Sequence, residues 1–222
     1  MRKAFQLGGL AAGAILIVFG IVAIVMGMNG RSTVNDSLKQ EQIVGSADMT
    51  PSGIKTEAQQ AGIASSVKEW PTMSVANQKI DTGAEARAMS QYMHIHALEA
   101  SGGFTYAQMG RYQARPDAPK AQLTPDGATN NPQFAAIDPA TKQPVDNGAR
   151  QVWISETALT NALNMSYMAS QLALFGVVVG IALLLTGLGF GILAVGGALR
   201  NPETAVKFLR RSEPKAPAVP VA

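Results

Sequence analysis

The 222-residue chain contains no cysteine and two histidines, and only 15% of its residues are charged. The first absence excludes disulfides, thiolate chemistry and zinc or iron–sulfur sites built on cysteine. The second excludes a metal centre drawing three imidazoles from one chain. The low charge lies well below the roughly 25% usual in soluble proteins. Catalytic signatures are scarce too: there is no G-x-S-x-G elbow, no glycine-rich phosphate loop after a strand, and nothing that pairs two particular acids for proton transfer. No cofactor, no nucleic-acid partner and no enzymatic activity are expected.

Charge is also missing in two long stretches. Residues 4–30 carry none, and their centre reads LAAGAILIVFGIVAIVMGM. About 20 apolar residues cross a hydrocarbon core of roughly 30 Å, so this stretch is long enough for a membrane span. It exceeds the apolar core of a signal peptide and no A-x-A site follows, which predicts an uncleaved anchor. The second uncharged stretch covers 157–199. As one helix it would reach about 65 Å at 1.5 Å per residue, more than one bilayer. Its first third is polar and no proline interrupts it near Gln171. One helix that begins outside the membrane and continues into it is the simplest reading.

Lysine and arginine set the orientation, because cationic flanks resist translocation. Arg2 and Lys3 precede the first stretch, and five cations follow the second: Arg200, Lys207, Arg210, Arg211 and Lys215. Residues 31–156 hold 11 cations against 13 acids. Both termini are therefore expected in the cytoplasm, with Arg200, Lys207, Arg210 and Arg211 near anionic headgroups. The expected fold is an all-α membrane protein with two antiparallel transmembrane helices, over 7–28 and 172–199. A cytoplasmic stub covers 1–6, a small helical extracytoplasmic region 29–171, and a basic cytoplasmic tail 200–222. Gly9 and Gly13, Gly176 and Gly180, and Gly187 and Gly191 recur at a spacing of four, which lets helix backbones approach closely. Neither span holds the intramembrane charge that a transport pathway requires.

Between the spans, residues 31–52 read as a polar spacer. Thr50-Pro51 opens a helix to about Ala61, and Trp70-Pro71 marks a break. Thr82-Gly83-Ala84-Glu85 fits a capping box for a helix that ends at Ser101-Gly102-Gly103. On it, Met89, Tyr92, Met93, His96 and Ala100 share one expected inner face. Six prolines then punctuate 114–150, predicting an irregular segment, either a draped loop or a flexible arm. The final helix starts near Arg150, with Ile154, Ala158, Asn161, Met165, Met168 and Leu172 expected to face the upstream helices. Residues 31–150 contain 25 large apolar side chains, a thin supply for an independent core.

The chemistry most open to a ligand is Met89, Met93 and His96, since thioether and imidazole suit copper(I). Methionine at helical spacing is more often core filler, so these are weak metal ligands. His94 and His96 point some 200° apart on a helix and do not share an ion. The span–domain–span layout resembles membrane sensors in topology alone, and a 23-residue tail predicts no signalling module. The reading that follows is a non-enzymatic accessory or scaffold subunit of a cell-envelope complex. Its partners would be the bilayer and a membrane protein, or a second copy of itself. The alternative is an extracytoplasmic ligand- or metal-binding module that acts through a partner.

Overall fold

The computed structural model describes residues 2–196. Arg200, Lys207, Arg210, Arg211, the rest of the tail and the last residues of the second expected span lie outside the described residues. Among the described residues four α-helices carry the fold: α1 (Arg2–Glu41), α2 (Pro51–Gln60), α3 (Gly83–Ala100) and α4 (Gly148–Val195). Among the described residues there is no β-strand, only isolated bridges. The chain divides into two compact units, one of residues up to Arg31 with those from Leu172 onward, the other Ser32–Gln171.

In the first unit, α1 and α4 are long and apolar enough to cross a membrane. Their most apolar windows have mean hydropathies of 2.7 and 2.5, and only 17% of each window is buried. The core helix of a soluble protein would bury most of such a window. Phe5, Val18, Phe19, Val22 and Met26 on α1, and Leu172, Phe175, Val178, Leu185 and Ile192 on α4, point outward.

The two helices meet along a seam of glycine. A methyl group built on Gly13 would lie 2.8 Å from the Gly187 carbonyl oxygen, and one on Gly20 would lie 2.7 Å from that of Gly180. On Gly27 it would lie 2.6 Å from the Ala173 carbonyl oxygen. One step further out, Gln6 Nε2 donates to the Ala194 carbonyl at 3.2 Å. Partners advance by seven on α1 as they retreat by seven on α4, so the helices run antiparallel with a seven-residue repeat. Such a repeat keeps one stripe against its partner along a gentle supercoil.

The packing positions overlap the expected glycines without matching their pairing. Gly13, Gly180 and Gly187 lie in the seam, and the Gly191 nitrogen is 3.3 Å from the methyl position of Gly13. Gly9 is buried, and Gly176 approaches α1 more loosely, 3.8 Å from its nearest atoms. Gly20 and Gly27, which the four-residue spacing passes over, supply the other close approaches.

In the second unit, the expected spacer over 31–52 is helical as far as Glu41. Val34 and Leu38, four apart, sit on the same face and join the core, and Asp36 and Lys39 pair at 3.6 Å on the outside. The helix stops where Gln42 turns left-handed, at φ 50°. Thr50 caps α2 by accepting from the Gly53 amide at 3.0 Å. At α3 the capping box is reciprocal. Thr82 Oγ1 accepts from the Glu85 amide at 3.3 Å, and Glu85 Oε2 accepts from the Thr82 and Asp81 amides at 2.8 Å each. Gly102 and Gly103, at φ 63° and 85°, end that helix with a left-handed turn.

α3 is the central element of this unit. Its buried set is Gly83, Ala86, Ala88, Met89, Tyr92, Ile95, Ala97 and Leu98, with Ser90. This is broader than the expected face: Ala100 is exposed, and Met93 and His96 are half-buried. Ile54, Ile63, Val67, Val75 and Ile80 fill the other side of the core. On α4 the inward face is Trp153, Glu156, Thr160 and Leu163, whereas Ile154, Ala158, Asn161, Met165, Met168 and Leu172 are exposed. The offset has a polar cause. Trp153 Nε1 donates to the Ser101 hydroxyl and the Phe104 carbonyl at 3.0 Å each, and His94 satisfies Glu156. A ranking by hydropathy places those residues outside.

The proline-rich stretch holds only isolated bridges and single helical turns, and its segments hydrogen-bond to one another. Tyr112 and Thr129 exchange two backbone hydrogen bonds at 2.9 Å, Arg115 donates to the Phe134 carbonyl at 2.9 Å, and Gln113 donates to the Val145 carbonyl at 2.9 Å. Prolines lack the amide donor a ladder needs, which leaves separate bridges and single helical turns at Lys120–Gln122 and Pro132–Phe134. Asp126 ties the stretch together. Its carboxylate accepts from Thr124 Oγ1 at 2.6 Å, from the Gly110 and Ala128 amides at 3.2 Å, and from Asn147 Nδ2 at 2.7 Å. Asn147, at the foot of α4, is itself buried.

Candidate functional site

Successive residues of a helix turn by about 100°, so α3 delivers its two histidines to opposite sides. Each meets carboxylates, and the two settings differ.

His94 is half-exposed and turns toward α4, where its Nδ1 lies 3.1 Å from Glu156 Oε1. A carboxylate only accepts, so the ring donates through Nδ1. Trp153 meets the His94 ring edge-on, with centroids 5.1 Å apart, and Thr157 Oγ1 donates to Glu156 Oε2 at 3.2 Å. Beside them opens a polar cavity of about 260 Å³ lined by Lys68, Glu69, Arg87, Gln91 and Asn164 among others. Its charges are largely matched internally. Arg87 Nη2 donates to both Glu69 oxygens, at 2.8 and 2.7 Å, and Nη1 donates to Asn164 Oδ1 at 3.0 Å. Gln91 Nε2 adds a bond to Glu69 at 2.9 Å. A self-satisfied network rigidifies the packing of α3 on α4 and leaves few groups for a ligand.

His96 turns the other way, toward α2. Its Nε2 lies 2.9 Å from Asp48 Oδ2 and 3.7 Å from Glu57 Oε2. That nitrogen is buried and makes no aligned hydrogen bond. Asp48 belongs to the turn that leads into the Thr50 cap, whose amide donates to the Asp48 carbonyl at 2.6 Å. Glu57 sits in the C-terminal half of α2 and His96 near the end of α3, so three elements supply one donor each. The donor atoms lie within 4.8 Å of one another. The Ser46 hydroxyl's hydrogen bond, with help from the Asp48 amide and the nearby His96, outweighs burial and holds the Asp48 carboxyl below its ordinary range. Glu57 moves oppositely: burial, then the neighbouring Glu99 carboxylate, push it up.

The expected trio of Met89, Met93 and His96 is therefore distributed among different surroundings. Met89 is part of the hydrophobic core and Met93 packs against it, while His96 faces carboxylates. Met89 and Met93 line an apolar cavity of about 350 Å³ with Leu38, Ile43, Leu159 and Leu163. Sequence reasoning missed Asp48 and Glu57, which lie far from His96 along the chain. The available signals were indirect: Asp48 lies two residues before the Thr50 cap, and Glu57 and His96 both sit in strongly predicted helices.

Comparison with protein-family models, with curated proteins and with solved structures returned no match for this chain.

Proposed function

We propose that this chain is a non-enzymatic two-pass membrane protein of the cell envelope, an accessory or scaffold subunit that presents its polar unit to a membrane-protein partner. The seven-residue glycine seam carries the reading. It uses the small residues of both apolar helices to bind each other, and leaves their outward faces largely apolar for lipid or a neighbouring span. The distribution of lysine and arginine supports cytoplasmic termini and an extracytoplasmic body over 29–171. The internally satisfied polar cavity favours a structural role over a catalytic one, and the apolar cavity around Met93 and Leu159 offers a partner side chains a place to bury.

The decisive experiment is purification of the tagged full chain in mild detergent, with identification of what accompanies it. A stoichiometric membrane-protein partner is expected. Recovery as a lone monomer, or only with copies of itself, would overturn the accessory-subunit reading.

A further inference from the structure

Asp48, Glu57 and His96 present two carboxylate oxygens and one imidazole nitrogen to a common point from three separate elements. We infer that these three side chains form a binding site for a divalent transition-metal cation, with Zn²⁺ as the representative ion. The inference concerns the polar unit alone and does not depend on a membrane partner.

The first argument is geometric. Ligands about 2.0–2.2 Å from zinc lie roughly 3.0–3.6 Å from one another in octahedral to tetrahedral arrangements. The observed separations from His96 Nε2, 2.9 and 3.7 Å, flank that window. The third separation is within 4.8 Å, and rotation of the partly exposed Glu57 side chain closes the remainder.

The second argument concerns what stands between the donors. In the neutral tautomer that carries its proton on Nδ1, the Nε2 lone pair faces two carboxylates, and acceptors repel acceptors. Glu99 adds a third negative charge beside Glu57. Among the described residues, the ion pairs of Asp48 and Glu57 are with His96 alone. Such a cluster calls for a cation, which is either a proton on Nε2 or a metal ion. Nε2 is buried and lies 2.9 Å from Asp48 Oδ2 without an aligned hydrogen bond to it. A metal ion at the centroid serves all three donors at once.

The third argument is rigidity. His96 lies between Ile95 and Ala97, both buried, on a helix capped at both ends, and Asp48 is held by the turn that caps α2. The ligand set also selects among metals. Mg²⁺ and Ca²⁺ take oxygen donors, whereas an imidazole with carboxylates suits zinc and its first-row neighbours. Three protein ligands leave one position or more for water or an incoming group.

The test uses the full chain in detergent micelles at pH 7.5 after treatment with a chelator. Zn²⁺ is titrated by calorimetry, and Co²⁺ serves as the visible-absorption probe. One saturable equivalent with a cobalt d–d spectrum is expected. His96→Ala should weaken binding at least tenfold and abolish that spectrum. Asp48→Asn and Glu57→Gln, at partly exposed positions, should each weaken it about tenfold without loss of fold, and so keep the test valid if the histidine variant fails to fold. His94→Ala and Met93→Leu should leave it unchanged. Absence of saturable binding below about 100 µM metal would overturn the site, as would binding that survives both Asp48→Asn and Glu57→Gln. So would nuclear magnetic resonance showing His96 protonated on both nitrogens at pH 7.5 in the presence of saturating Zn²⁺.

Discussion

The seam can be tested by adding a single carbon. In Gly20→Ala the new methyl group sits 2.7 Å from the Gly180 carbonyl oxygen, 2.7 Å from the Leu184 amide nitrogen and 3.0 Å from Leu184 Cβ. Two of the three atoms are backbone and have no rotamer to change. Relief to an ordinary contact near 3.4 Å requires the helices to part locally by roughly 0.7 Å, and a gap of that order forfeits about a quarter to a half of each dispersion contact along the level. Overpacking of this kind costs about 1–3 kcal/mol. The intrinsic helix preference of alanine over glycine returns about 1 kcal/mol at most. A net destabilisation of up to about 2 kcal/mol is expected.

The control is Gly8→Ala, where a methyl group meets nothing within 4 Å. Only the propensity gain remains there, so that variant should be neutral or slightly stabilised. Gly180→Ala meets the Gly20 carbonyl at 2.7 Å, so it parts the helices at the same level. In the double variant the second methyl enters a gap already opened, and the two costs should fall short of additivity by at least about 0.5 kcal/mol. Unfolding by titration of sodium dodecyl sulfate into mild-detergent micelles, followed by circular dichroism, reads all four proteins. Equal stability of Gly20→Ala and Gly8→Ala, or strict additivity in the double variant, would refute the seam.

The other predictions address the polar unit. Asp126→Ala strips four donors of their common acceptor, the buried Asn147 amide among them, and should cost about 2–4 kcal/mol, read as lost hydrogen-exchange protection between Gly110 and Asn147. In the parent protein burial pushes Asp126 up, but hydrogen bonds led by Thr124 and Gly110 outweigh it and hold the carboxyl below its ordinary value. Its stabilising effect is therefore fully present above about pH 4 and lost as pH falls through the lowered value, so protection of this stretch should weaken in that acid range and not between pH 5 and 8. Thr82→Ala opens one side of the α3 capping box and should lower thermal stability by about 1 kcal/mol, while Thr82→Ser should restore it.

Local signals were legible in the sequence wherever a few neighbouring residues decide the structure. Thr50-Pro51, the Thr82 and Glu85 pair, and Gly102-Gly103 each fix a helix end within four residues, and each appears where the chain order places it. The two apolar helices were legible because bilayer thickness sets a length that composition meets directly. What long-range packing decides was harder to read. Val34 and Leu38 are two apolar residues among nine polar ones, and only the core they enter turns residues 31–41 into helix. Glu156 and Thr160 look like an outer face until His94 and the other side chains of α3 are set against them.

The same distinction governs the glycines and the two histidines. A spacing of four describes one helix surface, whereas contact between two helices is a property of paired registers. The pairs 13 with 187, 20 with 180 and 27 with 173 become visible only when the two stretches are read against each other in opposite directions. Had the antiparallel pairing expected of two consecutive spans been imposed on the glycine positions, the seven-residue register would have followed from the sequence. No comparable constraint links Asp48 and Glu57 to His96, because the coil between α2 and α3 has no repeat to set its path. Helical geometry alone separated His94 from His96; it took the fold to give each its own carboxylates, one inside a satisfied network and one beside two acids with no aligned hydrogen bond. That asymmetry makes His96 the side on which a ligand is to be sought.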